Sequence, residues 1–316
     1  MQVLRRVVRT LALAGRLTPY LLVAGVPAQA APQPLRFVLI PKLSHPWYEM
    51  VRQGAESAGR MIQQQTGRPV LIDFQPPAGA QVPLQAAILQ RAIRSRPAGI
   101  TIDLLDAGRL RPLLEQARAD GIALTVFDSE APEGLAITSI GNDFCRQATI
   151  ASERLVQLLG GTGEVAIMQG VPTAPNHAIR VDCHRQVFAR HPGIRVVATP
   201  VDDDDIATAE RQALSTMQRF PRLRGWVVAD AGGGIGVGRA VRALGRQGSV
   251  KVVALDDLPE LLEQIGSGLV DSTAATRPAA QGYWSVLSLW QQSLGAPTLE
   301  HIDTGISVQG GADSAR

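Results

Sequence analysis

Short apolar runs alternate with longer amphipathic stretches from residue 37 almost to the end of the chain. The first run, Phe37 to Ile40, is typical of a parallel strand that is buried on both faces. After a short turn, apolar residues recur at three- and four-residue steps from Trp47 to Ile62, which predicts a helix with one buried face. Pro46 suits the first turn of that helix, where a missing N–H costs nothing.

The same alternation repeats along the rest of the chain. Further strands are predicted at 70–74, 99–103, 122–127, 136–140, 164–169, 194–201, 226–229, 250–255, 270–275 and 302–306, and the helices between them include 82–93, 176–191, 206–219, 259–265 and 278–294. Repeated strand–helix–strand units with short connections predict an α/β fold with parallel sheets and helices on both faces. About ten strands exceed one comfortable open sheet, so we expect two doubly wound parallel-sheet lobes.

Composition agrees with a globular protein of this size. The chain has 316 residues, of which 45% are hydrophobic and 19% charged, enough for two domains with their own cores. Its formal net charge is only +3, and several arginines fall in the first sixteen residues. A nucleic-acid partner therefore has no electrostatic support. The five histidines and two cysteines show no metal-ligand spacing, and we expect neither a metal nor a cofactor.

Residues 1–30 have the pattern of an export signal. Basic residues from Arg5 to Arg9 precede a mostly apolar stretch that runs to Val26, and Ala28-Gln29-Ala30 resembles a cleavage site. We expect cleavage near Ala30, with cleavage after Ala28 as an alternative. Arg16 interrupts the apolar stretch, which argues against a membrane-spanning helix. The sequence thus predicts a periplasmic protein.

An oxidising compartment permits a disulfide between Cys145 and Cys183. Two cysteines at this separation do not dictate one, however. Single buried thiols are the interpretation that the sequence alone favours.

Six short motifs follow predicted strands in a fixed order. They are His45-Pro46-Trp47-Tyr48, Phe127-Asp128, Ile140-Gly141-Asn142-Asp143, Gln169-Gly170 with Arg180-Val181-Asp182-Cys183-His184, Ala254-Leu255-Asp256-Asp257 and Ala275-Thr276-Arg277-Pro278. With these motifs and their spacing, the chain resembles the type I periplasmic binding proteins, which are the sugar-binding proteins of the ribose- and galactose-binding type. The resemblance covers nearly all of the chain after the leader.

The resemblance implies two lobes joined by a three-strand hinge, with one small-molecule ligand held between them. By analogy the first lobe takes residues 34–140 and 277–301, and the second takes 141–276 and 302–316. Members of the family deliver sugars to membrane permeases, or present them to chemoreceptors or the periplasmic domains of sensor kinases. We therefore expect a monomeric binding protein that is not an enzyme. A repressor of the same fold would need a DNA-binding segment before the first strand, where the leader stands.

The resemblance also implies a set of ligand-binding residues. Carboxylates accept hydroxyl protons, arginine donates a planar fork, and an aromatic ring covers the C–H face of a sugar. The expected contacts are His45, Trp47, Tyr48, Asp128, Arg180, Asp204, Asp230, Asp256 and Thr276, with Lys42 as a more speculative candidate. His45 stands where the family usually has asparagine, and Asp230 where an asparagine–aspartate pair is usual.

These and other departures leave the ligand class open. Ser129 replaces an arginine of ribose-type members, Phe144 replaces an asparagine, and Thr276 replaces a glutamine that reaches the ligand. A sugar or polyol is the leading expectation. Carboxylates beside Trp47 and Tyr48 would also suit a small cationic ligand, through charge and cation–π contact.

Two further stretches have an ordinary interpretation and a functional one. The glycine run from Gly232 to Gly238 follows a strand, as in phosphate-binding loops, but it lacks the G-x-G-x-x-G spacing. A flexible turn beside the cleft is favoured over a nucleotide-dependent enzyme. Asp202 to Asp205 lacks the interleaved spacing of a calcium loop, so a solvated loop is favoured there, with Asp204 over the ligand by analogy.

Overall fold

The computed structural model describes residues 33–297 and 299–310; the predicted signal peptide lies outside them. This part of the chain forms twelve strands and nine helices. The strands are β1 (Leu35–Ile40), β2 (Val70–Phe74), β3 (Gly99–Ile102), β4 (Ala123–Phe127), β5 (Thr138–Gly141), β6 (Gly163–Met168), β7 (Ile194–Ala198), β8 (Leu223–Val228), β9 (Lys251–Leu255), β10 (Ser272–Ala275), β11 (His301–Asp303) and β12 (Ser307–Gln309). The helices are α1 (Pro46–Thr66), α2 (Val82–Arg94), α3 (Ala107–Ala119), α4 (Phe144–Leu159), α5 (Pro175–Ala189), α6 (Ile206–Arg219), α7 (Ala231–Ala243), α8 (Pro259–Gly266) and α9 (Pro278–Ser293).

The strands form two six-stranded sheets, which confirms the predicted fold class. The first sheet has the order β2-β1-β3-β4-β5-β11, and all of its strand pairs are parallel. The second has the order β7-β6-β8-β9-β10-β12, and only the β10–β12 pair is antiparallel. The chain passes between the sheets after β5, after β10 and after β11. The residue limits drawn for the two lobes from the sequence stay predictions.

The central strands are apolar because both faces of each sheet are covered. In the first sheet, Val38, Ile40, Ile100 and Ile102 are all fully buried in one apolar cluster with residues of α2 and α3. On the other face, α9 packs against β3 and β4 and against α1. The polar residues that follow these strands therefore emerge at the carboxyl edge of the sheet, where open α/β folds hold ligands.

Helices α1 and α9 approach closely through two glycines. A Cβ atom at Gly54 would lie 1.9 Å from the carbonyl oxygen of Ala279, and one at Gly282 would lie 1.9 Å from that of Val51. Both positions therefore require glycine at this spacing of the helices. The close packing places the first turn of α1 beside the segment that leads into α9.

The end of the chain differs from the prediction of one strand at 302–306. Two short strands are present there, and they belong to different sheets. Thr304, Gly305 and Ile306 separate them: Gly305 has φ of 82°, and its N–H donates to Asp303 Oδ1 at 2.7 Å. This turn lets the chain leave the first sheet and join the second.

The expectation of two single thiols is wrong. Cys145 in the first turn of α4 and Cys183 in α5 form a disulfide, with their Cα atoms 5.4 Å apart. The two helices pack side by side in the second lobe. Only this packing brings together residues that are 38 positions apart in the chain.

The expectation of a flexible turn at the glycine run is also wrong. Gly232 to Gly238 are buried inside α7, which begins after Asp230. Glycine is needed because neighbouring elements lie very close: a Cβ at Gly236 would be 2.6 Å from the backbone nitrogen of Glu210 in α6.

In the described part of the chain, no helix combines the length and the apolar character needed to cross a membrane.

Candidate functional site

Polar residues that follow the central strands of both sheets converge between the lobes. From the first sheet come Lys42 after β1, Asp103 after β3 and Asp128 after β4. From the second come Asp230 after β8 and Asp256 after β9. All five are buried. They lie at the carboxyl edges of the sheets, where the sequence predicts that a ligand binds.

Residues of both lobes surround one cavity of about 10 Å³. Space of this size holds roughly one water molecule, so a larger ligand requires the lobes to move apart or side chains to turn away. The lining residues are His45, Trp47, Tyr48, Asp128, His177, Arg180, Asp204, Asp230, Ala231 and Asp256. Eight of the nine predicted site residues are among them, and the ninth, Thr276, touches two of the eight. The structure thus brings all nine together, while their role in binding stays a prediction.

The first turn of α1 supplies the aromatic side of the cavity. His45 precedes this turn, and its Nδ1 accepts a hydrogen bond from the backbone N–H of Trp47 at 3.2 Å, as a helix-capping side chain does. The Trp47 and Tyr48 rings meet edge to face with centroids 5.1 Å apart. Trp47 Nε1 donates to Asp256 Oδ1 at 3.2 Å and to Thr276 Oγ1 at 3.1 Å. The indole therefore links the first lobe to the second.

Thr276 also holds Asp256 directly. Its backbone N–H donates to Asp256 Oδ1 at 3.2 Å, and its hydroxyl donates to the same oxygen. Burial nevertheless raises the pKa of Asp256 above its usual value, since these donors and Arg180 only partly offset the loss of water.

A buried ion pair, Lys42 with Asp103, lies behind the aromatic side of the cavity. Lys42 Nζ is 2.6 Å from Asp103 Oδ2, and both side chains have no exposed surface. The Tyr48 hydroxyl donates to the same oxygen at 2.9 Å. Burial raises the pKa of Asp103 to about 8, although Lys42 and Tyr48 act in the opposite direction. The Gln85 side chain fixes the turn by donating to the carbonyl oxygens of Pro41 and Asp103 at 3.0 and 2.6 Å.

The Asp128 carboxylate accepts hydrogen bonds from two side chains of the second lobe. Its Oδ2 accepts from Asn176 Nδ2 at 2.6 Å, and its Oδ1 accepts from Arg180 Nη2 at 3.3 Å. Lys42 Nζ lies 3.9 Å from Oδ2 on the first-lobe side. Both carboxylate oxygens are therefore occupied by contacts that cross between the lobes.

Arg180 is held in place from three directions. Its Nε donates to Gln147 Oε1 at 2.9 Å, its Nη1 donates to the carbonyl oxygen of Ala229 at 3.2 Å, and its guanidinium carbon lies 4.9 Å from the centre of the Phe144 ring. Phe144 and Gln147 belong to the helix that carries the disulfide-bonded Cys145. The arginine is thereby aimed at Asp128 with 2% of its surface exposed.

The aspartate run after β7 is not the solvated loop that the sequence favours. Asp202 and Asp204 are buried, whereas Asp203 and Asp205 face solvent. The Asp202 carboxylate accepts from the backbone N–H of Asp204 at 3.0 Å, and Asp205 caps α6 by accepting from the N–H of Thr208. Asp202 thus stabilises the loop and Asp205 stabilises the start of α6, while Asp204 faces the cavity.

Asp230 combines a structural role with a place in the cavity wall. Its Oδ1 accepts the N–H groups of Gly232 and Gly233 at 2.9 and 2.7 Å and so caps α7. Asp202 is its buried neighbour. Burial raises the pKa of Asp230 to about 7, with Asp204 adding to the effect, and it raises the pKa of Asp202 well above its usual value.

Three of the cavity aspartates have strained backbones. Among the described residues, five that are not glycine have positive φ, and three of these line the cavity: Asp128 at 42°, Asp204 at 63° and Asp256 at 64°. Side chains other than glycine avoid this region, although aspartate tolerates it better than most. Such strain is concentrated at functional sites, where the surrounding structure maintains it.

The two cavity histidines are neutral near pH 7. Burial lowers the pKa of His45, and it lowers the pKa of His177 well below the usual value, with Lys42 and Arg180 acting in the same direction. His177 Nδ1 accepts the backbone N–H of Val171 at 2.9 Å. The positive charge at the site is therefore carried by Lys42 and Arg180.

Asp103, Asn176 and His177 belong to the site but are not among the residues predicted from the sequence. Asp103 follows a buried apolar strand just as Asp128 does, so the rule of polar residues at strand ends identifies it. Asn176 and His177 lie four and three residues before Arg180, which places them on the same side of α5. The signals were present, but none of these residues is in a motif that resembles the family.

Comparison with known proteins agrees with this architecture. Residues 37–297 match the family model described as a periplasmic binding protein domain. The chain belongs to this family. Among its relatives is the D-ribose/D-allose-binding protein of Pseudomonas aeruginosa, which is 26% identical over 231 residues, or 70% of this chain and 71% of the relative.

Solved structures of the family superimpose closely. A solute-binding protein of an ABC transporter from Burkholderia graminis, in complex with D-arabinose, gives a TM-score of 0.82 at 28% identity, covering 89% of this chain and 96% of that one. Another from Agrobacterium vitis, bound with α-D-tagatopyranose, gives 0.82 at 27% identity with the same coverage. These relatives are solute-binding proteins rather than enzymes, which agrees with the prediction that this chain is not an enzyme.

Proposed function

We propose that this chain is a periplasmic solute-binding protein that captures a monosaccharide or similar small polyol between its lobes and delivers it to an ABC permease. The observation that carries the proposal is the convergence of Trp47 and Asp128 from one lobe with Arg180, Asp204 and Asp256 from the other around one cavity. The named relatives bind ribose, allose, arabinose or tagatose.

The chemistry of the cavity suits a polyhydroxylated ligand. Carboxylates accept hydrogen bonds from pairs of hydroxyl groups, and a guanidinium donates two in one plane. The contacts of Asp128 with Asn176 and Arg180 show that groups on opposite lobes already reach one another. A ligand that replaces these contacts with its own would be bound by both lobes at once, and closure around it creates the surface that a permease recognises.

Titration calorimetry on the purified exported protein tests binding. The panel is D-ribose, D-allose, D-arabinose, D-tagatose and xylitol. We expect at least one to bind with a dissociation constant of about 1 µM or tighter, which corresponds to about 8 kcal/mol. An absence of binding across sugars, polyols and their amino derivatives would refute the proposal.

A matched pair of arginines on α5 makes the test specific. Arg180→Lys removes the fork that contacts Gln147, Ala229 and Asp128, so affinity for the identified ligand should fall at least about thirtyfold. Arg185→Lys changes an exposed arginine of the same helix and should leave the affinity unchanged.

Delivery is tested separately: in cells that lack the gene, uptake of the ligand at low concentration should be lost. Binding without an effect on uptake would refute the permease step alone.

A further inference from the structure

The cavity has more carboxylates than cations to neutralise them. Four aspartates and one arginine line it, and the histidines are neutral. Arg180 pairs with Asp128, and the nearby Lys42 is 2.6 Å from Asp103. Among the described residues, no lysine, arginine or histidine forms an ion pair with Asp204, Asp230 or Asp256. The second lobe therefore presents aspartates to the cavity without a positive partner.

Asp204 is the carboxylate with the fewest partners. It has 4% of its surface exposed and lines the cavity, and its side chain forms no hydrogen bond with any described residue. Asp256, by contrast, accepts from Trp47 and Thr276, and Asp230 caps α7. A buried carboxylate without a partner is costly, and a ligand that supplies a donor or a positive charge removes that cost.

Most of the other unsatisfied groups around the cavity are acceptors, which require donors; the exception is His45 Nε2, which carries the ring proton because Nδ1 accepts from Trp47. Buried side-chain atoms without a hydrogen-bond partner in the described residues include Asp103 Oδ1, Asn176 Oδ1, Asp230 Oδ2 and His45 Nε2. The first three are acceptors. An ammonium group donates three hydrogen bonds and accepts none, whereas a hydroxyl group brings both a donor and an acceptor.

We infer that the preferred ligand is an amino sugar or amino polyol whose ammonium group is held by Asp204, with Asp230 and Asp256 nearby and the Trp47 and Tyr48 rings on the opposite lobe. This inference rests on the proposed function and narrows its ligand class. The hydroxyl groups of such a ligand engage Asp128 and Arg180 as any sugar would. The ammonium group supplies the positive charge that Asp204, Asp230 and Asp256 lack.

The pH dependence of binding follows from the carboxyl groups. Burial raises the pKa of Asp204 and of Asp230 to about 7; Lys42 and Arg180 oppose this for Asp204, whereas Asp128 and Asp256 add to it. Asp230 faces Asp204, Asp202 and His45. An ammonium ligand requires ionised carboxylates, so the affinity for an amine that itself stays protonated, such as an amino alditol, should rise as the pH goes from 6 to 8. The rise is at most about tenfold per pH unit for each group that loses a proton.

Calorimetry with matched ligand pairs tests the inference. The pairs are D-galactosamine with D-galactose, D-glucosamine with D-glucose, and D-glucamine with D-sorbitol, each at pH 6, 7 and 8. We expect at least one amine to bind ten times or more tightly than its neutral counterpart at pH 8. Equal or tighter binding of the neutral members, or of ribose and allose, would overturn this inference and leave the proposed function standing.

Two variants of one loop provide the control. Asp204→Asn keeps the shape and removes the charge, so the affinity for the amine should fall at least ten times more than the affinity for its neutral counterpart. Asp203→Asn alters an exposed neighbour and should change neither. If Asp204→Asn lowers both affinities equally, the inference is wrong. Binding of no organic member, or stabilisation by calcium chloride alone, would overturn both the inference and the proposed function.

Discussion

At the scale of single residues, the two buried cations of the site have different sequence signals. Arg180 lies in a motif that resembles the family, and its position follows from that motif. Lys42 lies in a turn of five residues between β1 and α1, where a lysine is ordinarily solvated. Its burial follows from Asp103, which the next strand of the same sheet carries to within 2.6 Å.

Replacing Lys42 by methionine tests how much the buried pair matters. At about pH 9, above the pKa of about 8 that burial gives Asp103, loss of Lys42 leaves a buried carboxylate with no cation in contact, which typically costs about 3–5 kcal/mol of stability. We expect urea unfolding of Lys42→Met to show a loss in this range. Arg36→Met removes the half-exposed partner of Asp73 in the same sheet and should cost less than about 1 kcal/mol.

The double variant Lys42→Met/Asp103→Leu completes this experiment. Removing the carboxylate as well eliminates the uncompensated charge, so most of the lost stability should return. Equal losses for Lys42→Met and Arg36→Met would show that burial of the pair has no energetic consequence.

At the scale of elements, the strands and helices could largely be predicted from periodicity. The apolar runs are short, and the helical faces are regular. The pairing of elements could not be predicted in the same way. Cys145 and Cys183 bond because α4 and α5 pack side by side, and nothing local to either cysteine shows this. In an oxidising compartment a disulfide that closes a loop of this length contributes about 3–4 kcal/mol in the chain-entropy model.

The glycine run shows the same limit. From sequence, five glycines among seven residues favour a flexible turn, because glycine costs about 1 kcal/mol relative to alanine in a helix. In the fold, Gly236 lies against α6 and Gly234 lies against Ala254 of β9, so larger residues do not fit. Tertiary contact, and not helix propensity, determines these positions.

The glycine contact between α1 and α9 gives a prediction at this scale. Gly282→Ala would place a Cβ 1.9 Å from the Val51 carbonyl oxygen, so the helices must separate. Overpacking of this kind typically costs about 1–3 kcal/mol, which outweighs the gain of about 1 kcal/mol in helix propensity. Thermal unfolding should show a midpoint lowered by several degrees.

Gly266→Ala is the matched control, because a Cβ at this position of α8 meets no atom within 4 Å. Its unfolding midpoint should stay the same or rise. A midpoint that rises in both variants would mean that α1 and α9 tolerate a wider separation than the structure shows.

At the scale of the whole molecule, the site exists only because two lobes meet. The sequence could predict which residues follow the strands, since each lobe repeats the same strand–helix pattern. It could not predict that Asp202 and Asp204 are buried, because the opposite lobe and α7 cover them. Nor could it predict how the charges are distributed between the lobes. The two buried ion pairs involve Asp103 and Asp128 of the first lobe, whereas the carboxylates without a cation belong to the second lobe.

This distribution predicts an unusual pH dependence of stability. Burial raises the pKa of Asp103 to about 8, and of Asp204 and Asp230 to about 7, so between pH 4 and these values the folded chain binds more protons than the unfolded chain. The stability contributed by these protons is lost as the pH rises through 7 and 8. Buried His45, His177 and His184 have lowered pKa values and act in the opposite direction, but only below about pH 6.5.

Above pH 6.5, therefore, only the carboxyl groups act. We expect the free energy of unfolding of the ligand-free protein to fall by up to about 3 kcal/mol between pH 6.5 and 8.5. Urea titrations at half-unit intervals measure this slope. Asp204→Asn cannot ionise at that position and should flatten the slope, whereas Asp203→Asn, with its exposed side chain, should retain it. A stability that is constant or increases over this range would mean that the buried carboxyl groups are already ionised at pH 6.5, and that Lys42 and Arg180 compensate for all of them.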